Sequence, residues 1–202
     1  MLLMLALLQS MELPAQWRSP RLTRLGPEEG ISSTINAMAQ DSLGFMYFAT
    51  IDGLYKYDGH TFRFFGHDPM DDNSIGEGDV NAIHAARDGK VWMTLRFGGL
   101  NRYDPHTDLF QRYPVPTLSF RSNPGAHGLY EDQNKILWVG ADHFRLLSFD
   151  RSTTQFTSYT PSWIDAEKHG GRLMIMSIVG DKHNASLLWL SVLGYGHQDA
   201  PH

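Results

Sequence analysis

The sequence predicts an all-β protein, and three observations carry that reading. One stretch of sequence recurs at a spacing near 45 residues. Each copy is a set of short apolar or aromatic runs separated by turn residues. Composition agrees, since Gly 19, Pro 10 and 12% aromatics in 202 residues suit many tight turns and few long helices. A repeat of this length fits a four-stranded β-propeller blade better than any helical repeat. The expected architecture is therefore a partial β-propeller, with three complete four-stranded blades plus part of a fourth.

The repeats superpose by their aromatics and aspartates. The first blade is expected over 35–65, the second over 80–113, the third over 127–159, and a partial fourth over 173–196. Tyr47 recurs as Trp92 and Trp138, at spacings of 45 and 46, and Trp189 follows after 51. Asp58 recurs as Asp104 and Asp150, at spacings of 46 and 46. Phe62 recurs as Phe110 and Phe156. The wider turn from Asp181 to Ser186 accounts for the longer last spacing. These repeated aromatics read as packing residues between blades.

Taken in chain order, 1–15 is expected to be a signal peptide. Its apolar run Met1 to Leu8 has the length of a secretory core and is too short to span a membrane. No Lys or Arg precedes that run, so the basic start usual for such peptides is missing. Residues 16–34 form a lead-in. Within the first blade, Asn36 to Ala39, Phe45 to Thr50, Leu54 to Tyr57 and Phe62 to Phe65 are strand-like runs. Ser42-Leu43-Gly44, Asp52-Gly53 and Asp58-Gly59-His60 lie between them. Gly tolerates positive φ and Asp bonds its own downstream backbone, so these are hairpin turns with a physical cause. The second blade places Arg87-Asp88-Gly89-Lys90, Gly98-Gly99 and Asp104-Pro105-His106-Thr107 at the matching points. Second strands such as Val91-Trp92-Met93 and Ile136-Leu137-Trp138-Val139 are almost continuously apolar, as a strand buried on both faces requires. Polar, proline-containing linkers, such as Gly66 to Ser74 and Pro114 to Gly125, join the units.

Charge and residue content exclude several functions. The formal net charge is -5 and no basic run occurs, which disfavours nucleic acid as a partner. With Cys 0, neither a disulfide framework nor a thiolate metal site is available. The ten histidines are scattered without metal-ligand spacing, so no metal is expected. No nucleophile elbow, phosphate loop or dinucleotide fingerprint is present, and no catalytic residue or cofactor is expected.

These units resemble the two-component regulator propeller repeat. In the first blade the likeness rests on Asp41, Gly44, Tyr47-Phe48-Ala49-Thr50, Gly53-Leu54-Tyr55-Lys56-Tyr57-Asp58 and Phe62. In the second it rests on Asp88-Gly89, Trp92, Gly99-Leu100-Asn101-Arg102-Tyr103-Asp104 and Phe110. In the third it rests on Asp132, Trp138-Val139-Gly140, Phe149-Asp150, Phe156 and Tyr159. Ala49, Thr94 and Ser191 stand where the family places a strand glycine. The third blade has Arg145-Leu146 in place of the Gly-Leu pair. The resemblance implies an exported, periplasmic sensor of a bacterial receptor. It would bind a small molecule or oligosaccharide and relay the signal to a cytoplasmic output module. Such propellers usually close with seven blades, so the chain resembles the N-terminal part of a longer receptor. Kinase or cyclase activity, and the membrane helix, would lie in domains beyond this sequence.

A ligand is expected at the channel mouth, on the loop after each Trp-position strand. The candidate binding residues are Asp52 in the first blade, Arg96 and Phe97 in the second, and Asp142, His143 and Arg145 in the third. Arginines and aromatics suit an acidic or sugar ligand through bidentate hydrogen bonds and stacking. The rival readings are an interaction scaffold, a truncated fragment without function, and a propeller lyase. The unfinished fourth blade is also expected to expose an apolar edge compatible with a homodimer.

Overall fold

The computed structural model describes residues 22–115, 126–141, 145–159 and 173–194. The expected signal peptide and the candidates Asp142 and His143 lie outside them. The lead-in carries a short 3-10 turn, Pro27–Glu29. The first sheet then pairs β1 (Ile35–Gln40), β2 (Met46–Thr50), β3 (Leu54–Tyr57) and β4 (Phe62–Phe65) in that order. The second pairs β5 (Val80–Ala85), β6 (Val91–Leu95), β7 (Gly99–Asp104) and β8 (Leu109–Tyr113). The third pairs β9 (Ala126–Glu131), β10 (Leu137–Ala141), β11 (Arg145–Asp150) and β12 (Gln155–Tyr159). A two-stranded sheet of β13 (Leu173–Gly180) and β14 (Leu188–Gly194) follows. All neighbours are antiparallel, and among the described residues no α-helix occurs. The fold is the expected partial β-propeller: three four-stranded blades and half of a fourth.

Local chemistry explains the hairpins. Asp58 accepts from the backbone N–H groups of His60 and Thr61 at 2.8 and 2.7 Å. Asp104 accepts from His106 N–H at 3.0 Å and Asp150 from Ser152 N–H at 2.8 Å. These aspartates therefore close the last hairpin of each complete blade. A carboxylate that accepts backbone N–H groups prefers its charged form, and all three are held below the usual carboxylate range. The leading cause is the Thr61 amide for Asp58, the Lys90 hydrogen bond for Asp104 and the Ser152 hydroxyl for Asp150. Glycine is required at Gly99, where φ is 70° and a Cβ would lie 2.8 Å from the Tyr113 carbonyl oxygen.

The blades stack face to face, and each joint has its own core. Tyr47, Leu54, Val91, Met93 and Tyr103 fill the joint between blades 1 and 2. Trp92, Tyr113, Leu137, Val139 and Phe149 fill the next. Ile175 and Ile178 meet Tyr130, Trp138 and Leu146 in the third. Fully burying a side chain of this size contributes about 1.5–3 kcal/mol, so each joint rests on several such contacts. Gly140 is the strand glycine that the third blade retains, and a Cβ there would lie 2.7 Å from the Ile175 carbonyl oxygen. Ala49 and Thr94 occupy the same register at the other joints, both at 0% exposure. On the far face of blade 1, Ile31 of the lead-in packs with Phe48 and Tyr55.

A second repeated aspartate organises the aromatics. Asp41 accepts from the Tyr47 hydroxyl at 3.0 Å. Asp132 accepts from Trp138 Nε1 at 3.0 Å, and Asp181 from Trp189 Nε1 at 2.9 Å. Each carboxylate also holds its own turn, as Asp132 does by accepting from the amides of Asn134 and Ile136. In blade 2 the repeat motif puts Asp88 at this position, and the structure corrects it. The equivalent turn begins at Ala86, which bonds Lys90 as Asp41 bonds Phe45 and Asp132 bonds Ile136. Trp92, six residues after Ala86, therefore keeps a buried Nε1–H with no partner among the described residues.

Candidate functional site

The strand order puts the β2–β3, β6–β7 and β10–β11 turns at the end of each blade where its first strand begins. These starts lie together across a joint, because Asn36 Nδ2 donates to the Val80 carbonyl at 2.9 Å. The turns proposed to carry ligand residues therefore share one end of the stack. Arg96 is best defined there. Its backbone N–H donates to the Asp79 carbonyl at 2.9 Å, and its guanidinium meets the Asp79 carboxylate at 3.3 Å. The guanidinium also lies 5.5 Å from the centre of the Phe97 ring. Phe97 is 41% exposed, so a large aromatic face is presented to solvent beside a charge. Gly78 lies under that ring, where a Cβ would come within 3.0 Å of it.

Asp52 and Arg145 belong to the turns of the neighbouring blades. Asp52 is exposed, and its backbone N–H donates to Thr50 Oγ1 at 3.3 Å. Its carboxylate has no hydrogen-bonding partner among the described residues. Arg145 opens β11 opposite Ala141 and is half-buried. The structure thus joins Arg96 and Phe97 into one unit. Of the repeat residues, Tyr47 and Trp92 are at 0% and 1% exposure, Trp138 is half-buried, and Trp189 is 60% exposed. The first three lie in the cores between blades.

Sequence reading missed Asp79 and a buried amide side chain at this end. Asn101 is fully buried; its Oδ1 accepts from Gly76 N–H at 2.8 Å and its Nδ2 donates to Gly98 O at 2.9 Å. It ties the segment carrying Asp79 to the β6–β7 turn carrying Arg96. An uncharged polar residue directly after the apolar start of β7 was the available signal.

The opposite end holds a cluster that was also missed. Glu131, at the end of β9, has a side chain only 2% exposed. It accepts from Arg151 at 2.8 Å, meets His84 Nε2 at 2.9 Å and accepts from the Arg87 amide at 3.3 Å. Arg151 also reaches Asp88 at 3.2 Å and stacks 5.3 Å from the Trp92 ring centre. Burial alone would raise the Glu131 pKa. The His84 hydrogen bond, the Arg151 charge and the Arg87 amide outweigh it and hold the group below the usual glutamate range. Both oxygens of this carboxylate are used within the protein, so the cluster is a clasp between blades 2 and 3. Among the described residues no group of three or more His, Asp or Glu could hold a metal.

Comparison with known proteins places this geometry. The extracellular domain of a hybrid two-component system of B. thetaiotaomicron aligns with a TM-score of 0.59 at 25% identity, over 87% of this chain and 26% of that one. The chain has the fold of the two-component sensor propellers. The extracellular domain of a one-component system of the same organism aligns with a TM-score of 0.65 at 21% identity, over 88% of this chain and 23% of that one. In sequence, a stretch of 50 residues is 42% identical to Histidine kinase P4 of Formosa agariphila, covering 24% of this chain and 4% of the kinase. No protein-family model matches. The chain thus spans about a quarter of the sensor domains and a small part of the kinase. Virginiamycin B lyase of Staphylococcus aureus shares the architecture, with a TM-score of 0.59 at 13% identity. That likeness concerns the fold alone. The resemblance to extracellular sensor domains supports a sensing role and an extracytoplasmic location. Among the described residues, no helix is long and apolar enough to cross a membrane.

Proposed function

We propose that this chain is an extracytoplasmic ligand-sensing propeller segment of a bacterial signal-transduction receptor. Its ligand is a small molecule or oligosaccharide, bound at the end of the stack that carries the β2–β3, β6–β7 and β10–β11 turns. Binding is relayed to a cytoplasmic output domain. The observation that carries the reading is the Arg96–Phe97 unit, a guanidinium fixed by Asp79 beside an exposed ring. A ring face stacks on the apolar side of a sugar, and a guanidinium holds hydroxyls or a carboxylate in fixed geometry. Few polar groups and one aromatic platform are what such recognition needs. The fold likeness to extracellular sensor domains supports the same reading.

Calorimetric titration with a panel of neutral and uronate-containing oligosaccharides tests it. Binding by at least one class is expected, weakened about tenfold or more by Phe97→Ala or Arg96→Ala. A panel without any binder, or a binder indifferent to both substitutions, would remove this mouth as the ligand site.

A further inference from the structure

Arg96 and Asp79 form an ion pair in which both partners reach solvent. Their side chains are 39% and 31% exposed, so a molecule at this end meets the guanidinium and the carboxylate together. Two loops that mesh through their glycines hold the pair in place. A Cβ on Gly98 would lie 2.9 Å from the Glu77 carbonyl oxygen, and one on Gly76 would lie 3.1 Å from Asn101 Oδ1. The Arg96 amide bond to the Asp79 carbonyl closes the mesh. The positive charge of this turn is therefore presented with its counter-charge beside it. Other described residues at this end add little positive charge. Glu77 and Asp52 are exposed carboxylates. The bulges at the starts of β1, β5 and β9 fall on Asn36, Asn81 and His127 rather than on Lys or Arg.

We propose that Asp79 sets the specificity of this end of the stack: the ligand is an uncharged saccharide bound through adjacent hydroxyls, and its carboxylate-bearing counterparts are rejected. This rests on the reading of the Arg96–Phe97 unit as the ligand site and narrows it. An ionised guanidinium only donates hydrogen bonds and an ionised carboxylate only accepts them, whereas a hydroxyl does both. Two adjacent sugar hydroxyls therefore satisfy the pair at once, one accepting from Arg96 and the other donating to Asp79. A uronate carboxylate offers acceptors alone. It answers Arg96 but brings a second carboxylate against Asp79, and like charges sharing a site repel. Discrimination often comes from such a repulsive element as much as from an attractive one. Phe97 does not choose between the two, because its ring stacks on the apolar side of either sugar. The ring thus supplies affinity, and Asp79 supplies the choice. Solvent reaches both charges, so the expected discrimination is about tenfold rather than several orders of magnitude.

The test uses the full chain and pairs of disaccharide probes that differ in one group, a primary alcohol in one member and a carboxylate in the other. Calorimetric titration is expected to give a dissociation constant about tenfold or more higher for the carboxylate member of each pair that binds. Asp79→Asn keeps the size of the side chain and an acceptor oxygen but removes the charge. The carboxylate probe is expected to bind this variant about tenfold more tightly than it binds the wild type, closing the gap. Glu77→Gln removes an equal charge two residues away and is expected to leave the ratio within about twofold, because exposed charges are screened by salt. Far-ultraviolet circular dichroism checks that each variant folds, and the wild-type ratio decides alone if Asp79→Asn does not. Carboxylate probes that bind the wild type as well as the neutral ones, while Phe97→Ala still weakens both, would overturn the specificity and leave the site standing. An unchanged ratio in a folded Asp79→Asn variant would overturn it equally. Probes that all fail to bind, or that bind regardless of Phe97→Ala, would remove the site itself, and the specificity with it.

Discussion

At the scale of single residues, the aspartates at 41, 132 and 181 each perform two tasks. Each stands at the head of a turn, and each accepts from the aromatic of the following strand. For Asp132 one oxygen takes the Asn134 and Ile136 amides and the other takes Trp138 Nε1. Replacing it by alanine leaves three donors to find water, one of them on a half-buried ring. Hydrogen bonds to charged groups contribute about 1.5–3 kcal/mol each when well formed, less where solvent can substitute. Asp132→Ala is expected to lower unfolding stability by about 2 kcal/mol, read from the urea midpoint. Asp132→Asn keeps an acceptor and is expected to lose about half as much. Equal losses for the two variants would show that charge, not the acceptor, holds the ring. Blade 2 lacks this aspartate, and there Arg151 from the neighbouring blade lies against the ring. The repeat was legible in the sequence, because an aspartate six residues before an aromatic recurs in blades 1 and 3. The displacement to Ala86 was not legible, since Asp88-Gly89 is itself a good turn and alignment by motif preferred it.

At the scale of elements, the polar linker between blades 1 and 2 is a fitted part of blade 2. Arg112 on β8 donates through Nε to the Ser74 carbonyl at 3.0 Å and through Nη2 to Ser74 Oγ at 2.7 Å. Phe110 N–H donates to the Asn73 carbonyl at 2.8 Å, and His67 Nδ1 lies 2.9 Å from the Ile75 carbonyl. Asn101 holds the next turn of this linker from inside the sheet. Strands and hairpins were readable because their causes are local: alternating apolar runs, Asp-Gly turns and an almost wholly apolar second strand. The linker's docking was not, because a run of Asp, Asn and Ser looks the same whether it is solvated or pinned by a distant arginine. Nor could the sequence say that Arg96 would meet Asp79, since that pair depends on how the linker enters β5. Asn101→Leu is the sharpest test. It strands a buried amide of Gly76 and a carbonyl of Gly98, each costing about 1–3 kcal/mol when unpaired. The variant is expected to lose about 3 kcal/mol of stability and, through the displaced Asp79 segment, to weaken the binding proposed at Arg96. Asn101→Leu with wild-type stability would mean that the linker is held by Arg112 alone.

At the scale of the whole molecule, the three joints are held by different forces, and acid distinguishes them. The joint between blades 3 and 4 is apolar, built on Ile175 and Ile178 against Trp138 and Leu146. The joint between blades 1 and 2 combines rings, such as Tyr47 and Tyr103 at 6.0 Å between centres, with the surface pair Arg63–Asp108. Only the joint between blades 2 and 3 contains, among the described residues, a buried carboxylate bridging two blades. Glu131 has a native pKa below its unfolded value, so folding stabilises its charged form. The stability this contributes is fully present above the unfolded glutamate range. It is lost as pH falls through the depressed native value, where protonation releases Arg151 and His84. Removing one partner of a buried ion pair costs about 3–5 kcal/mol, because the other charge is left unpaired. Glu131→Ala is therefore expected to lose about 3 kcal/mol at neutral pH and to lose part of the acid dependence of unfolding below about pH 5. Hydrogen exchange read strand by strand should show β9 and β5 losing protection first as the wild-type chain is acidified. β13 and β14 should keep theirs longer, because among the described residues the core that binds them to blade 3 holds no carboxylate, and the depressed Asp181 acts only on their own hairpin turn and on Trp189. If β13 and β14 open before β5 and β9, the electrostatic clasp is not the acid-sensitive joint of the stack.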